Sequence, residues 1–137
     1  MRRGSLSLLR AELKGYKHTE ALCHLVECVN RELQPAALIL FGSLARGDFH
    51  QYSDADLCVI LHGEAIHPLS RSVPVEPCNP TGVAEAQAFG AEEFKKMLRE
   101  ANPLTLEILH YGLVLGGEES FIKELEPFAG LPYPQRV

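Results

Sequence analysis

The chain has 137 residues, of which 46% are hydrophobic and 23% charged, as is ordinary for a globular protein large enough to bury a core. Its formal net charge of −5 argues against broad, non-specific binding to nucleic-acid phosphates. No apolar run approaches the ~20 residues that a membrane span needs, and the N-terminus shows no apolar h-region of secretory type. We expect one cytoplasmic domain over residues 1–137, with a core from about 19 to 126 and peripheral segments at 1–17 and 127–137.

The first predicted element is an amphipathic helix from about Thr19 to Leu33. Thr19 is a candidate N-cap, and Pro35 stops the helix. The preceding residues 1–17 are weakly patterned and predict a loose helix or a frayed arm. The apolar positions of the helix recur at steps of three and four residues and are Leu22, Leu25, Val26, Val29 and Leu33.

The cysteines form no Cys-x-x-Cys pair and have no spacing typical of a zinc site. We therefore expect no disulfide framework. Cys58 lies inside an apolar run, which predicts a small buried thiol. The four cysteines are Cys23, Cys28, Cys58 and Cys78.

The central stretch begins with the short apolar run Ala36 to Phe41, which is typical of a buried strand. Gly42 follows and allows a tight turn and the close approach of another group, because glycine has no Cβ. The hydroxyl of Ser43 can cap a short helix or hold a phosphate oxygen. A helix that begins here would direct free N–H groups at an anion.

Two aspartates, Asp54 and Asp56, stand in front of the apolar run Leu57–Leu61. Alternate side chains of a strand share a face, so both carboxylates would point the same way. Two hard oxygen ligands on one face suit Mg²⁺ or Mn²⁺. The alternative is a solvated strand end, but two neighbouring like charges are costly to bury without a cation.

A third strand is predicted at about Ser72 to Cys78, at the edge of the sheet or bulged, because Pro74 removes a ladder donor. Glu76 would then face the open side of the sheet, where a metal site could be. The alternative is a solvated edge glutamate. Residues 79–90 are rich in Pro, Gly and Ala and predict a flexible connection.

The rest of the chain reads as three helical segments and one short strand. Asn102 as N-cap and Pro103 at the first helical position are a matched pair, and Gly112 ends that helix. The other expected elements are a helix over Glu92–Glu100, a strand at Val114–Leu115 and a last helical turn or two over Ser120–Leu125.

The central spacing, Gly42-Ser43, ten residues and then Asp54-x-Asp56, resembles the signature of the nucleotidyltransferase superfamily that includes DNA polymerase beta. The fuller string GSLARGD…SDADLCV is similar to the small single-domain branch, the minimal nucleotidyltransferases. This resemblance implies an α/β (α+β) fold with a small mixed β-sheet flanked by helices. We expect the helices on one side of the sheet and the active site at an open edge.

The resemblance also implies a function: metal-dependent transfer of a nucleoside monophosphate, AMP from ATP by family analogy, to a hydroxyl acceptor with release of pyrophosphate. One or two Mg²⁺ or Mn²⁺ ions would be the cofactor. Arg46 would add positive charge near the phosphates or, alternatively, be a surface arginine. The expected catalytic and metal-binding residues are Asp54, Asp56 and Glu76, and the expected nucleotide-binding residues are Gly42, Ser43 and Arg46.

An alternative from a different class is a binding module with little or no catalytic activity. The family resemblance implies a small helical partner of the HEPN type, as in toxin–antitoxin modules, where the antitoxin covers the toxin or adds AMP to it. A chain of this size has little room for its own acceptor-binding domain, so a partner protein or a second copy of the chain would supply one. Glu76 discriminates the two hypotheses: a position beside the aspartates favours the enzyme, and a side chain that points away from them favours the binding module.

Overall fold

A five-stranded sheet forms the centre of the structure, a computed structural model that describes residues 1–131. Its strands lie in the order β1-β5-β2-β3-β4. β2 runs antiparallel to β3 and β5, whereas β4 is parallel to β3 and β1 is parallel to β5. The prediction of a small mixed sheet is therefore confirmed. The strand bounds are β1 Arg2–Arg3, β2 Ala37–Phe41, β3 Ala55–Leu61, β4 Ala84–Gly90 and β5 Leu113–Gly117.

Helices fill most of the connections between these strands. The predicted cap of α5 is confirmed, because Asn102 Oδ1 accepts hydrogen bonds from the backbone N–H of Leu104 at 2.9 Å and of Thr105 at 3.4 Å. Within residues 1–131, no helix is both long and apolar enough to cross a lipid bilayer. The helix bounds are α1 Leu6–Glu12, α2 Thr19–Leu33, α3 Gly42–Arg46, α4 Ala91–Arg99, α5 Pro103–Tyr111 and α6 Glu119–Ala129, and two 3₁₀ helices span Pro68–Ser70 and Val73–Cys78.

Helices cover both faces of the sheet. Leu57 and Val59 of β3 pack into the cluster that contains α1 and α2. Cys58 and Ile60 pack into the opposite cluster, to which α4, α5 and α6 contribute. The expectation of helices on one side is thus wrong, because a central strand that is apolar on both faces must be covered on both.

The N-terminal segment is part of the core. β1 extends the sheet beside β5, and Leu9, Leu13 and Tyr16 are exposed by only 1%, 1% and 5%. A helix was one of the two expectations for residues 1–17, and α1 is present. The expectation that this segment is loose or frayed is wrong, since so short a helix shows little periodicity in the sequence. At the other end α6 includes residues 127–129, and the remaining tail from residue 132 lies outside the described residues.

The third strand lies later in the chain than predicted. Residues 73–78, expected as a strand, form a 3₁₀ helix, because the φ near −65° that proline imposes at Pro74 and Pro77 suits such a helix. Residues 84–90, expected as a flexible connection, form β4 and pair with the whole of β3. Its alanines are weak strand formers, and their packing against the α2 side of the sheet overrides that preference.

A disulfide joins Cys28 of α2 to Cys78 at the end of the second 3₁₀ helix, with the Cα atoms 5.6 Å apart. The expectation of no disulfide is thus wrong. The two cysteines are separated by 50 residues, and the sequence gives no sign that the fold brings their Cβ atoms together. Cys58 is buried and free, as predicted.

Candidate active site

The predicted glycine and aspartates meet at one end of the sheet, where β2 ends and β3 begins. Phe41, the last residue of β2, is the register partner of Asp56. Gly42 directly after it therefore lies beside the Asp56 side chain. Asp54 precedes the first residue of β3 and is exposed.

Gly42 and Asp56 are in close contact. Gly42 has φ of +75°, which L side chains rarely adopt, and a Cβ built there would overlap Asp56 Oδ2 and lie 3.0 Å from Asp56 Cγ. Both observations require glycine at this position. The turn after β2 is thus shaped around the carboxylate of Asp56.

The carboxylate on the strand next to Asp56 is Glu85. Asp56 and Glu85 are register partners in the parallel pair β3–β4, so their side chains lie on the same face of the sheet. Glu76, the predicted third carboxylate, is exposed on the 3₁₀ helix outside the sheet. The alternation of alanine and polar residues at 84–88 was the signal that could have identified Glu85.

The pKa of Asp56 is shifted by burial and by several charged side chains at this end of the sheet. Burial, together with the negative charges of Glu85 and Asp54, raises the pKa of Asp56 to about 6. Arg46 acts in the opposite direction, while Glu107 adds a small unfavourable contribution. The protein alone therefore places too little positive charge near the Asp56 carboxylate to balance its negative charge. A carboxylate in such surroundings is stabilised when it binds a cation.

Arg46 lies at the end of α3 and is held by two carboxylates. Its Nε donates to Asp48 Oδ2 at 3.1 Å, and its Nη1 lies 3.7 Å from Glu107 Oε1. The guanidinium also lies over the ring of Tyr111, 5.7 Å from its centroid. The structure thus places the predicted arginine near Asp56, in a network that includes Glu107, a residue of α5 that the sequence did not single out.

Ser43 lies in the first turn of α3, beside Gly42. Its carbonyl oxygen accepts hydrogen bonds from Gly47 N at 2.9 Å and Asp48 N at 3.2 Å, which closes the turn that carries Arg46. The Ser43 side chain is half-buried. A serine at this place can present its hydroxyl to a ligand at the same end of the sheet as Asp56.

A third residue that the sequence did not single out, after Glu85 and Glu107, is Tyr16, between α1 and α2. Burial raises the pKa of Tyr16, and the charges of Asp54 and Asp56 raise it further. Tyr16 and Asp54 both line a small cavity of about 160 Å³. The other lining residues are His18, Tyr52, Ser53, Thr81, Gly82 and Val83.

The donors at this site fit a hard divalent cation held jointly by protein and substrate. Within residues 1–131, no three His, Cys, Asp or Glu side chains are arranged to hold a metal ion by themselves. Mg²⁺, however, is usually bound through one or two carboxylates together with substrate phosphates. The carboxylate oxygens of Asp54 and Asp56 suit this kind of site, and the contact with Gly42 holds the Asp56 carboxylate beside the turn.

Comparison with known proteins gives the family of the chain. Residues 22–133 match the model of the nucleotidyltransferase domain, and the sequence has no significant match among curated proteins. A solved toxin–antitoxin with AMP-PNP is similar at 20% identity and a TM-score of 0.49, with 80% of this chain and 79% of that one covered. The toxin–antitoxin MntA–HepT is similar at 15% identity and a TM-score of 0.47, with the same shares covered. The match over residues 22–133 confirms the family expected from the central motif: the chain belongs to the nucleotidyltransferase domain family.

Proposed function

We propose that this protein is a metal-dependent nucleotidyltransferase that transfers AMP from ATP to a hydroxyl acceptor and releases pyrophosphate. The observation that carries the proposal is the juxtaposition of Gly42, Asp56 and Glu85. The turn glycine is required by contact with Asp56, and Glu85 is the register partner of that aspartate. Membership of the nucleotidyltransferase domain family supports the same activity.

Asp54 and Asp56 would hold the divalent cation, Mg²⁺ or Mn²⁺. The chemistry that such an ion supplies when bound is neutralisation of the phosphate charge that grows on the leaving group. Asp56 is suited to this task because burial and the neighbouring carboxylates of Glu85 and Asp54 raise its pKa, so a bound cation would stabilise its charged form. The exposed Asp54 gives the second oxygen donor on the solvent side.

Gly42 and Ser43 would contact the triphosphate. The absence of a Cβ at Gly42 lets the backbone of the turn pack directly against the Asp56 carboxylate. The Ser43 hydroxyl can donate a hydrogen bond to a phosphate oxygen. Both residues lie on the turn between β2 and α3, so their positions relative to Asp56 are fixed by the β2–β3 pairing.

Glu85 takes the role that the sequence analysis gave to Glu76. In the transfer step the acceptor oxygen forms a bond to the α phosphorus, the bond from that phosphorus to the bridging oxygen breaks, and pyrophosphate leaves. Glu85 would accept the proton of the acceptor hydroxyl, as a general base on the strand next to Asp56. Glu76 is exposed on the 3₁₀ helix and has no register position beside Asp56, so it is less suited to this role.

Arg46 would counterbalance the negative charge of the site rather than contact the triphosphate by itself. Its guanidinium is already paired with Asp48 and close to Glu107, and its positive charge lowers the pKa of Asp56. Loss of Arg46 would therefore leave the carboxylates less compensated. We expect Arg46→Ala to weaken the binding of ATP.

The test is incorporation of label from ATP carrying ³²P at the α phosphate, together with release of pyrophosphate. The acceptors to offer are the protein itself and the product of any adjacent gene that encodes a small helical protein. Transfer that requires Mg²⁺ or Mn²⁺ and is abolished by Asp56→Asn supports the proposal. Transfer retained by Asp56→Asn overturns the mechanism.

A second candidate is a binding module that covers a helical partner of the HEPN type or pairs with another copy of the chain. Two observations favour it. Glu76, the residue expected to discriminate the two hypotheses, is exposed on a 3₁₀ helix outside the sheet pairing that holds Asp56. The connection between β3 and β4 also exposes apolar surface, where Leu69 is 90% and Val73 53% exposed. Sedimentation of the protein alone, and with the candidate partner, separates the homodimer from the heterocomplex. Replacing Leu69 with Ser should weaken whichever complex forms.

A further inference from the structure

The hydroxyl of Tyr16 is buried and has no hydrogen-bond partner among the residues that the structure describes. The residue as a whole is 5% exposed. Leaving a buried hydroxyl unpaired costs free energy, which a phenylalanine of nearly the same shape would avoid. Such a group in a native fold therefore requires an explanation.

The ring of Tyr16 is fixed by its neighbours. It packs edge-on against His18, with the ring centroids 5.7 Å apart, and against Phe49, with the centroids 5.9 Å apart. A ring held on two sides has little freedom to turn its hydroxyl towards solvent. The position of the oxygen is thus set by packing.

The charged groups that act on this hydroxyl are the two aspartates of the candidate site. Asp54 and Asp56 both contribute to the raised pKa of Tyr16, after burial. Tyr16 and Asp54 also line the same cavity of about 160 Å³, which is large enough and polar enough for ordered water. The Tyr16 hydroxyl remains protonated at neutral pH, so towards the carboxylates of Asp54 and Asp56 it can only donate a hydrogen bond.

We propose that Tyr16 is a positioning residue for Asp54, whose carboxylate accepts a hydrogen bond from the Tyr16 hydroxyl, directly or through water in the shared cavity, when the site holds a divalent cation. The inference rests on the proposed function. A carboxylate that ligates a metal is oriented by hydrogen bonds to its other lone pairs. The Tyr16 hydroxyl is then unpaired only because its hydrogen-bond acceptor, Asp54, takes up its position when the cation is bound.

The test uses Tyr16→Phe, which removes only the hydroxyl and keeps the ring contacts. The probe is Mn²⁺ in the presence of a non-hydrolysable ATP analogue, with free Mn²⁺ measured by electron paramagnetic resonance. We expect Tyr16→Phe to weaken Mn²⁺ binding about tenfold. Its stability against urea should stay the same or rise, because no hydrogen bond of the unloaded protein is lost.

Two further variants keep the outcome interpretable. Phe49→Leu loosens the packing around the Tyr16 ring without removing a hydroxyl, so it should lower stability and leave the Mn²⁺ affinity unchanged. Asp56→Asn should abolish binding. If Tyr16→Phe binds Mn²⁺ as tightly as the wild type while Asp56→Asn does not bind, the role of Tyr16 is refuted and the proposed site stands. If the wild type binds no Mn²⁺, the proposed function fails, and the role of Tyr16 fails with it.

Discussion

Gly42 lies against the carboxylate of Asp56, so closely that a Cβ on Gly42 would overlap Asp56 Oδ2. This contact joins the end of β2 to the start of β3. It explains why the turn after the first apolar strand needs glycine, and it gives the aspartate a fixed position. The predictions below depend on this contact and on the carboxylates around it.

Gly42→Ala should lower the free energy of unfolding more than Gly47→Ala does. Both glycines have positive φ, +75° and +87°, but no atom lies within 4 Å of a Cβ built at Gly47. Gly47→Ala therefore costs only the backbone strain, about 1–2 kcal/mol. Gly42→Ala should cost about 1–3 kcal/mol more, because the added methyl group displaces Asp56. Urea denaturation of both variants measures the difference, and equal costs would contradict the contact.

Glu85→Gln should lower the transfer rate by about 10²–10⁴-fold, the range typical of a lost general base. Glu76→Gln is the matched comparison, and we expect its rate to stay close to that of the wild type. Initial rates of pyrophosphate release with saturating Mg²⁺ and ATP measure both. A loss confined to Glu76→Gln would return the role of third carboxylate to the residue that the sequence favoured.

The stability of the metal-free protein should fall as the pH rises between about 4 and 6. The folded-state pKa of Asp56 is about 6 and lies above the ordinary value of about 3.9, so the native state binds this proton more tightly than the unfolded state. The stabilising contribution is complete below about pH 4 and is lost as the pH rises through 6. Asp56→Asn should remove this dependence. Parallel unfolding curves of wild type and variant over this range would show that Asp56 titrates normally.

Binding of a divalent cation should show the opposite dependence on pH. Protons compete with the cation for Asp56, so the affinity for Mn²⁺ should weaken as the pH falls below about 6. Titrations of Mn²⁺ at pH 5 and pH 7.5, in the presence of the ATP analogue, measure this effect. An affinity that is the same at both values would place the cation elsewhere.

The disulfide between Cys28 and Cys78 closes a loop across 50 residues. Replacing both cysteines with serine should lower the free energy of unfolding by about 2–4 kcal/mol. A dithiol reductant should destabilise the wild type by a similar amount and leave the double variant unaffected. If the reductant changes neither protein, the two thiols are not joined in solution.

The motif Gly42-Ser43…Asp54-x-Asp56 could be recognised in the sequence, and so could the helices and strands that have strong local signals. The strand before Gly42, the helix Thr19–Leu33 and the cap at Asn102 each depend on periodicity or on a single side chain next to the element. The prediction for Asp54 and Asp56 also depended on local spacing, and the structure places Asp56 in β3 and Asp54 directly before it.

Where the prediction was wrong, long-range contacts decide the structure. Glu85 becomes the neighbour of Asp56 only through the pairing of β4 with β3, and the alanine-rich sequence of β4 has weak strand propensity. The segment from Ser72 to Cys78 is a local exception, because its prolines favour a 3₁₀ helix over the predicted strand. Tyr16 reaches the site because the N-terminal segment folds into the core, which no local pattern indicates.

The most direct test of the account is calorimetric titration of ATP into the wild type and Asp56→Asn, with and without Mg²⁺. We predict that the wild type binds ATP only when Mg²⁺ is present and that Asp56→Asn does not bind under either condition. Binding by Asp56→Asn with the affinity of the wild type, or binding that does not need Mg²⁺, would contradict a cation site at Asp54 and Asp56.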